Sequence, residues 1–376
     1  MVRYDADAEF KRPVAKPDGY LPDDTGGGGA RAGLWERRDQ DARNTQGDDQ
    51  GRGLRDAWKN GWPERGPADG DRVDPLRAVV DRPAFCDPTD KRPPDRYGDP
   101  LTRPDGTRIP CFDGPPRREQ TRQGWAGDCG IIAVLGAVAA HRPEDITHRI
   151  RPQEDGSYEV TLSETERIGG VALPTGRDVK LSVTAELPVH DDAPDVPACA
   201  KPQDGAAWCA VMEKALAGAD QTWTAERHNS WEHDWAIMCA HDRAGNKANP
   251  RSGPAPDGYV RMHQGTSAWE RAEALTQVTG QPAEVCEFPA GIEEWRINRI
   301  IRAQLDDSKP VLVSSRPEKH EGEILPHNLE PGHVYEVTGV EKGKILLRNP
   351  WNEKHPEPME TDEFARNMTN CYSTLM

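Results

Sequence analysis

Residues 123 to 141 read QGWAGDCGIIAVLGAVAAH. A single cysteine, Cys129, follows a Gly-Asp pair and precedes an apolar run, Ile131 to Ala140, broken only by Gly136. The run predicts a helix over 127–140, capped by Asp128, with Ile131, Ile132, Leu135, Val138 and Ala139 on one broad apolar face. The thiol then stands at the first helical position, where unpaired backbone N–H groups and the positive end of the helix dipole favour thiolate. The competing reading is an inert core thiol, because free cysteine is among the most buried residue types. Gly127 and Gly130 flank it and leave room for a ligand's backbone.

Working outward, 157–164 (SYEVTLSE) and 179–189 (VKLSVTAELPV) alternate as strands do. Helices are expected over 206–218 (AAWCAVMEKALAG), over 268–280, and over 292–308, the last with Trp295, Ile297, Ile300, Ile301 and Leu305 available for burial. The first two end at Gly218 and Gly280. Strands follow at 310–316, 333–340 and 344–351. Helices first and strands last indicate an α+β fold with two segregated parts.

A thiolate nucleophile needs an imidazole, and the imidazole needs an orienting partner. Of 11 histidines, His333 opens the strand HVYEVTGV after Pro331-Gly332, and Asn349 lies on the next strand. A hairpin with a five-residue loop, 339–343, places His333 opposite Asn349 on one face. A two-residue turn at Lys342-Gly343 puts them on opposite faces unless a bulge intervenes. The longer loop is the expectation here. The Asn349 carbonyl then accepts one ring N–H and aims the other nitrogen at Cys129. Gln123, six residues ahead of the cysteine, could join the Cys129 amide in an oxyanion hole, although alone it reads better as a solvated loop residue.

QGWAGDC resembles the cysteine motif of calpain-type proteases in the papain-like group. GHVYEVTGV resembles their histidine motif and LLRNPW their asparagine motif, in the family's order. AAWCAVMEKALAG resembles a helix of that protease core, and EALTQVTG its passage into the second lobe, so the likeness spans about residues 119–365. The resemblance implies a two-lobed papain-like α+β cysteine endopeptidase acting on protein or peptide substrates. It implies Cys129 as nucleophile, His333 as base, Asn349 as orienter, Gln123 as oxyanion donor and Trp351 as shield of the His–Asn hydrogen bond. Two departures stand out. Gly130 replaces the family's tryptophan, which widens the cleft in this reading, and NPWN replaces NPWG. The chemistry requires no cofactor. Calcium enters through the resemblance alone, since no D-x-[DN]-x-[DN]-G loop is present.

The formal net charge of -16 argues against a nucleic-acid partner and against an anionic membrane. No run approaches the roughly 20 apolar residues of a spanning helix, and the charged start MVRYDADAEF has no signal-peptide core. Localisation stays open between the cytoplasm and export without a cleaved signal. The eight cysteines contain no C-x-x-C pair. Residues 1–118 hold 15 prolines and 15 glycines against only 12 Ile, Leu, Val and Met, so they bury little apolar surface and read as an irregular leader. TGGGGA at 25–30 is a flexible joint within it, and 54–60 a short helix. Residues 119–280 are then the lobe with the nucleophile helix, and 281–376 the β-rich lobe with His333 and Asn349.

His228, His233, Cys239 and His241 match no common zinc spacing, and packing around Trp231 and Trp235, or part of the substrate cleft, is the better reading. NMT at 367–369 fits a glycosylation acceptor, and the acidic 189–195 a solvated loop. The leader suggests either a propeptide or an effector or toxin-type bacterial protease with a delivery apparatus or an inhibitory immunity protein as partner. Two rival functions remain: glutamine deamidation or crosslinking by the same triad, and a binding module on an inactive protease fold.

Overall fold

The computed structural model describes residues 74–85, 93–168, 170–244, 251–320 and 322–376. The flexible joint at 25–30 and the short helix at 54–60 lie outside them, with most of the leader.

The described chain is a mixed α+β fold built on an antiparallel sheet. Strand β1 (Leu76–Val80) precedes β2 (Arg96–Gly98). Helix α1 (Cys129–His141) runs into α2 (Pro143–Arg149) and β3 (Ile150–Pro152). The long hairpin β4 (Tyr158–Ile168) and β5 (Val171–Val183) is followed by the small hairpin β6 (Leu187–His190) and β7 (Ala193–Pro197). Helices α3 (Trp208–Gly218), α4 (Ala225–Ala244), α5 (Gly258–His263) and α6 (Ala268–Thr279) lead to β8 (Ala283–Glu287). Then come α7 (Ile297–Asp306), β9 (Leu312–Ser315), β10 (Val334–Glu341), β11 (Lys344–Arg348), α8 (Thr361–Asn367) and β12 (Met368–Leu375).

The sheet runs β11-β10-β9-β12-β8-β5-β4-β3, and β1 adds to β5 as its one parallel neighbour. Strands from both halves of the sequence therefore share one sheet, joined where Val171 and Ala172 pair with Glu284 and Ala283. This differs from the helices-first, strands-last reading. The expected strand 179–189 is divided between β5 and β6, because the chain turns between them. Strand β1, Leu101 and Cys111 pack into the folded body, while the described residues between 99 and 117 are mostly turns, bends and unassigned backbone.

Two large hydrophobic clusters fill the fold. One surrounds α1 and contains Trp208, Tyr259 and Leu275; the other holds Tyr335, Val337, Ile345 and Leu347 against Ile297, Ile301 and Phe364. Every residue of α1 from Cys129 to Ala139 is buried, as expected of a helix apolar on all sides. Trp295 departs from its expected role: it falls in a 3-10 turn ahead of α7 and is 65 % exposed. Trp231, Trp235, Met238 and Cys239 pack together in a third, small cluster on α4, in line with the packing reading of that segment. Asn367 is buried, with its amide donating to the Glu363 carbonyl, and this removes it as a glycosylation acceptor. The 189–195 stretch forms the β6–β7 turn, with Asp191 and Asp192 exposed.

Candidate active site

The hairpin settles which residues face one another. Lys342 and Gly343 both adopt positive φ, 49° and 87°, the conformation of a tight two-residue turn, and Glu341 pairs with Lys344. The expected five-residue loop is therefore wrong. Thr338 is bulged, since Val337 pairs with Leu347 while Gly339 pairs with Leu346. This one extra residue restores the parity that the short turn takes away: Glu336 and Arg348 form one pair, and His333, Tyr335 and Asn349 share the opposite face.

His333 Nε2 lies 3.0 Å from Asn349 Oδ1. The amide orientation is fixed independently, because the Trp351 backbone N–H donates to Oδ1 at 3.0 Å and Nδ2 donates to the Lys354 carbonyl at 3.3 Å. An oxygen can only accept, so Nε2 carries the proton and Nδ1 is the basic nitrogen of the neutral ring. The ring lies between Tyr335, at a centroid distance of 4.9 Å, and Trp351, at 4.8 Å. The His333 amide donates to Ser315 Oγ at 3.0 Å, tying the residue to β9.

Cys129 begins α1, and the backbone N–H groups of Gly130 and Val334 reach its sulfur. Val334 directly follows His333, so the fold brings the thiol to the start of the strand that carries the imidazole. Asp128 does not cap the helix as expected. It occupies the N-cap position, but its carboxyl makes no cap hydrogen bond and is fully buried. Its backbone carbonyl accepts from Ile131 N at 2.8 Å, and no hydrogen bond occupies the Cys129 amide among the described residues.

Gln123 is buried and held close by: its amide N–H donates to the Pro350 carbonyl at 2.9 Å, and Nε2 donates to the Ala126 carbonyl at 2.7 Å. It is not a solvated loop residue. One of its two side-chain N–H groups is committed, which leaves the other for a ligand.

The room expected beside Gly127 and Gly130 is filled by the chain itself. A Cβ on Gly130 would lie 1.8 Å from Thr266 Oγ1, and one on Gly127 would lie 2.6 Å from the His263 carbonyl. Gly130 therefore does not widen a cleft; Thr266 takes the space a side chain would need. The Gly127 N–H donates to His263 Nδ1 at 3.0 Å, and the His263 ring stacks on Trp125 at 5.0 Å. Cys129 is 6 % exposed and His333 7 %. A cavity of about 460 Å³ lined by Arg316, Lys319, His327 and Arg366 lies elsewhere.

Burial sets the protonation state. It pushes the Cys129 thiol up to about 11 and pulls His333 down to about 4, although the Asn349 hydrogen bond acts to raise the latter. Burial thus favours a neutral thiol and a neutral imidazole here, rather than the expected thiolate.

A second polar cluster ties the hairpin to the segment 118–121 ahead of α1. Arg118 Nη2 lies 3.1 Å from Glu336 Oε1, and Arg348 Nη2 donates to the Arg118 and Thr121 carbonyls at 2.6 and 2.9 Å. Gly136 makes this possible, since a Cβ there would stand 3.0 Å from Arg348 Nη1. Sequence reading missed this cluster and the buried carboxyls of Asp128 and Glu213. The available signal was charge inside apolar runs: Glu213-Lys214 in AAWCAVMEKALAG and Arg348 after Leu346-Leu347.

No group of three or more His, Cys, Asp or Glu suited to a metal ion occurs among the described residues. Nor is any described helix long and apolar enough to cross a membrane. No protein-family model matches this sequence. No curated protein matches it either.

Proposed function

We propose that the chain is a cysteine-type endopeptidase of two-lobed, papain-like design, with Cys129 as nucleophile, His333 as base and Asn349 as its orienter. The observation that carries this reading is the fixed His333–Asn349 pair. Its tautomer leaves Nδ1 basic, and it stands one residue from the amide that contacts the Cys129 sulfur. The separate hydrophobic clusters around α1 and beneath the hairpin support the two-lobed description.

The chemistry follows from these groups. Nδ1 of His333 takes the thiol proton, and the sulfur attacks a peptide carbonyl carbon. The developing oxyanion is met by the free Cys129 amide and by the uncommitted N–H of Gln123. The tetrahedral adduct collapses, the imidazolium returns its proton to the leaving amine, and a thioester remains. Water, deprotonated by His333, hydrolyses the thioester and restores the enzyme. Asn349 holds the ring in place and accepts from Nε2 throughout, and Trp351 keeps water from that bond. Substrate entry displaces the segment around His263–Thr266. Water then reaches the sulfur and the ring and reverses both pKa shifts, because burial is the first cause of each.

The test is a cell-lysate proteome incubated with the wild type and with Cys129→Ala, followed by mass spectrometry. New peptide termini that depend on Cys129 support the proposal. Glutamine side chains converted to glutamate, without backbone cleavage, would replace it with a deamidase. No change of either kind would favour a binding module, a reading that the closed, neutral thiol supports.

A further inference from the structure

Behind Cys129, two carboxyl groups meet in a dry site. Asp128 and Glu213 are both fully buried, and their side chains contact each other. Glu213 comes from α3, a helix buried along its whole length. Its Oε2 accepts from the Ala200 N–H at 2.8 Å. The adjacent lysine does not neutralise it: Lys214 Nζ turns the other way, to Thr184 O, Thr184 Oγ1 and Glu186 O at 3.0, 2.7 and 2.6 Å. Both Asp128 oxygens and Glu213 Oε1 lack any other donor among the described residues. Two carboxylates so placed cannot both be charged.

We propose that Asp128 and Glu213 share one proton, resident on Asp128, and that this proton keeps Asp128 uncharged beside the thiol and turned away from the start of α1. Asp128 is thus a positioning residue for Cys129, and the idea rests on the nucleophile reading above. The asymmetry of the surroundings assigns the proton. Glu213 accepts from the Ala200 amide and lies beside the Cys199 thiol, both of which favour its charged form, while Asp128 has no external donor. Tyr259 of α5 is buried against Cys199 and Glu213 on the far side of the pair. The other titratable groups facing the pair are Tyr97 of β2, Cys209 of α3 and Cys129 itself; Arg271 of α6 acts on the Cys129 side. An ionised Asp128 would oppose the thiolate one residue away and would compete for the N–H groups at the helix start.

The experiment is the rate of Cys129 alkylation by iodoacetamide, followed by mass spectrometry across neutral and alkaline pH, which requires no hydrolytic activity. In Glu213→Gln, the amide donates to Asp128 and lets it ionise, and alkylation at neutral pH falls about tenfold, as expected for one new charge close by. In Asp128→Asn, the amide donates to Glu213 as the protonated acid does, and alkylation stays within about twofold of the wild type. Equal rates in Glu213→Gln and wild type, or an Asp128→Asn variant as slow as Glu213→Gln, would overturn the proposal. Should either variant fail to fold, infrared spectroscopy of the wild type labelled with ¹³C-aspartate decides. A protonated aspartic acid carbonyl band at neutral pH is expected, and its absence overturns the shared proton. Failure of the protease reading would leave these signals unchanged, so the two ideas fail separately.

Discussion

Helix α1 meets the site with apolar side chains and glycines on every side, whereas the hairpin β10–β11 meets it with a row of polar groups held in place by neighbours. On the helix side, position is set by close packing: Thr266 against Gly130, the His263 carbonyl against Gly127, Arg348 against Gly136. On the hairpin side it is set by directed bonds, from Trp351 N–H and Lys354 O to the Asn349 amide and from Asn349 to His333. Packing fixes where the sulfur is but also dries it, which works against a charged thiol. Hydrogen bonding fixes the tautomer of the His333 ring even with water excluded. A buried thiol can thus be placed by an apolar helix, but its ionisation depends on what the other half supplies.

The comparison breaks most sharply at the reacting groups. Cys129→Ala and His333→Ala should each lower peptide cleavage by at least about 10³-fold while leaving the melting temperature near that of the wild type. Persistent cleavage in Cys129→Ala would remove the helix half from the chemistry, and in His333→Ala the hairpin half. Asn349→Ala should cost on the order of 10²-fold in kcat, because the ring loses its orientation while keeping its nitrogen. An equal loss in KM alone would point to substrate contact instead.

Stability changes sharpen the same contrast. Arg348→Met leaves Glu336 with one fewer cation in a dry site and should destabilise the fold by about 3–5 kcal/mol in urea unfolding. Adding Glu336→Gln should recover much of that loss, because the uncompensated charge is then gone. Gly136→Ala gains helix propensity but presses on the Arg348 guanidinium, with a net loss of about 1–2 kcal/mol expected. A gain would mean that the cluster yields easily.

The smallest effect concerns His141, at the end of α1. Burial first, and Arg118 second, hold it down at about 4, from its ordinary 6.5. The unfolded chain therefore takes up the proton more readily. The stability contribution is present above pH 6.5 and is lost as pH falls through 4. His141→Gln should flatten the melting temperature across that window, and an unchanged slope would show that other groups control it.

Helix α1, the strands β10 and β11, and the order of cysteine, histidine and asparagine were legible because each announces itself locally, by apolar runs, by alternation or by a polar residue at a strand end. The hairpin register was not. The turn Lys342-Gly343 argues for one parity, and the bulge at Thr338 reverses it, with nothing in the surrounding VTGV to mark the extra residue. The Asp128 cap failed for a related reason: capping propensity is local, and the carboxyl found a partner 85 positions away on α3. Helix α4 went unread although Trp231, Trp235, Met238 and Cys239 recur at i, i+4, i+7 and i+8, because this narrow apolar stripe is set among polar and charged residues. The packing of His263 and Thr266 on Gly127 and Gly130 is tertiary, so Gly130 looked like open space when it is a contact.

The central claim is that a neutral His333, its Nε2 proton held by Asn349, serves as base to Cys129. The most direct measurement is covalent labelling of the protein by an epoxysuccinate thiol-protease inhibitor, with the modified residue located by mass spectrometry. The account predicts stoichiometric labelling at Cys129 in the wild type, loss of it in His333→Ala, and a much slower reaction in Asn349→Ala. Labelling spread over other cysteines, or labelling of Cys129 at the same rate without His333, would contradict it.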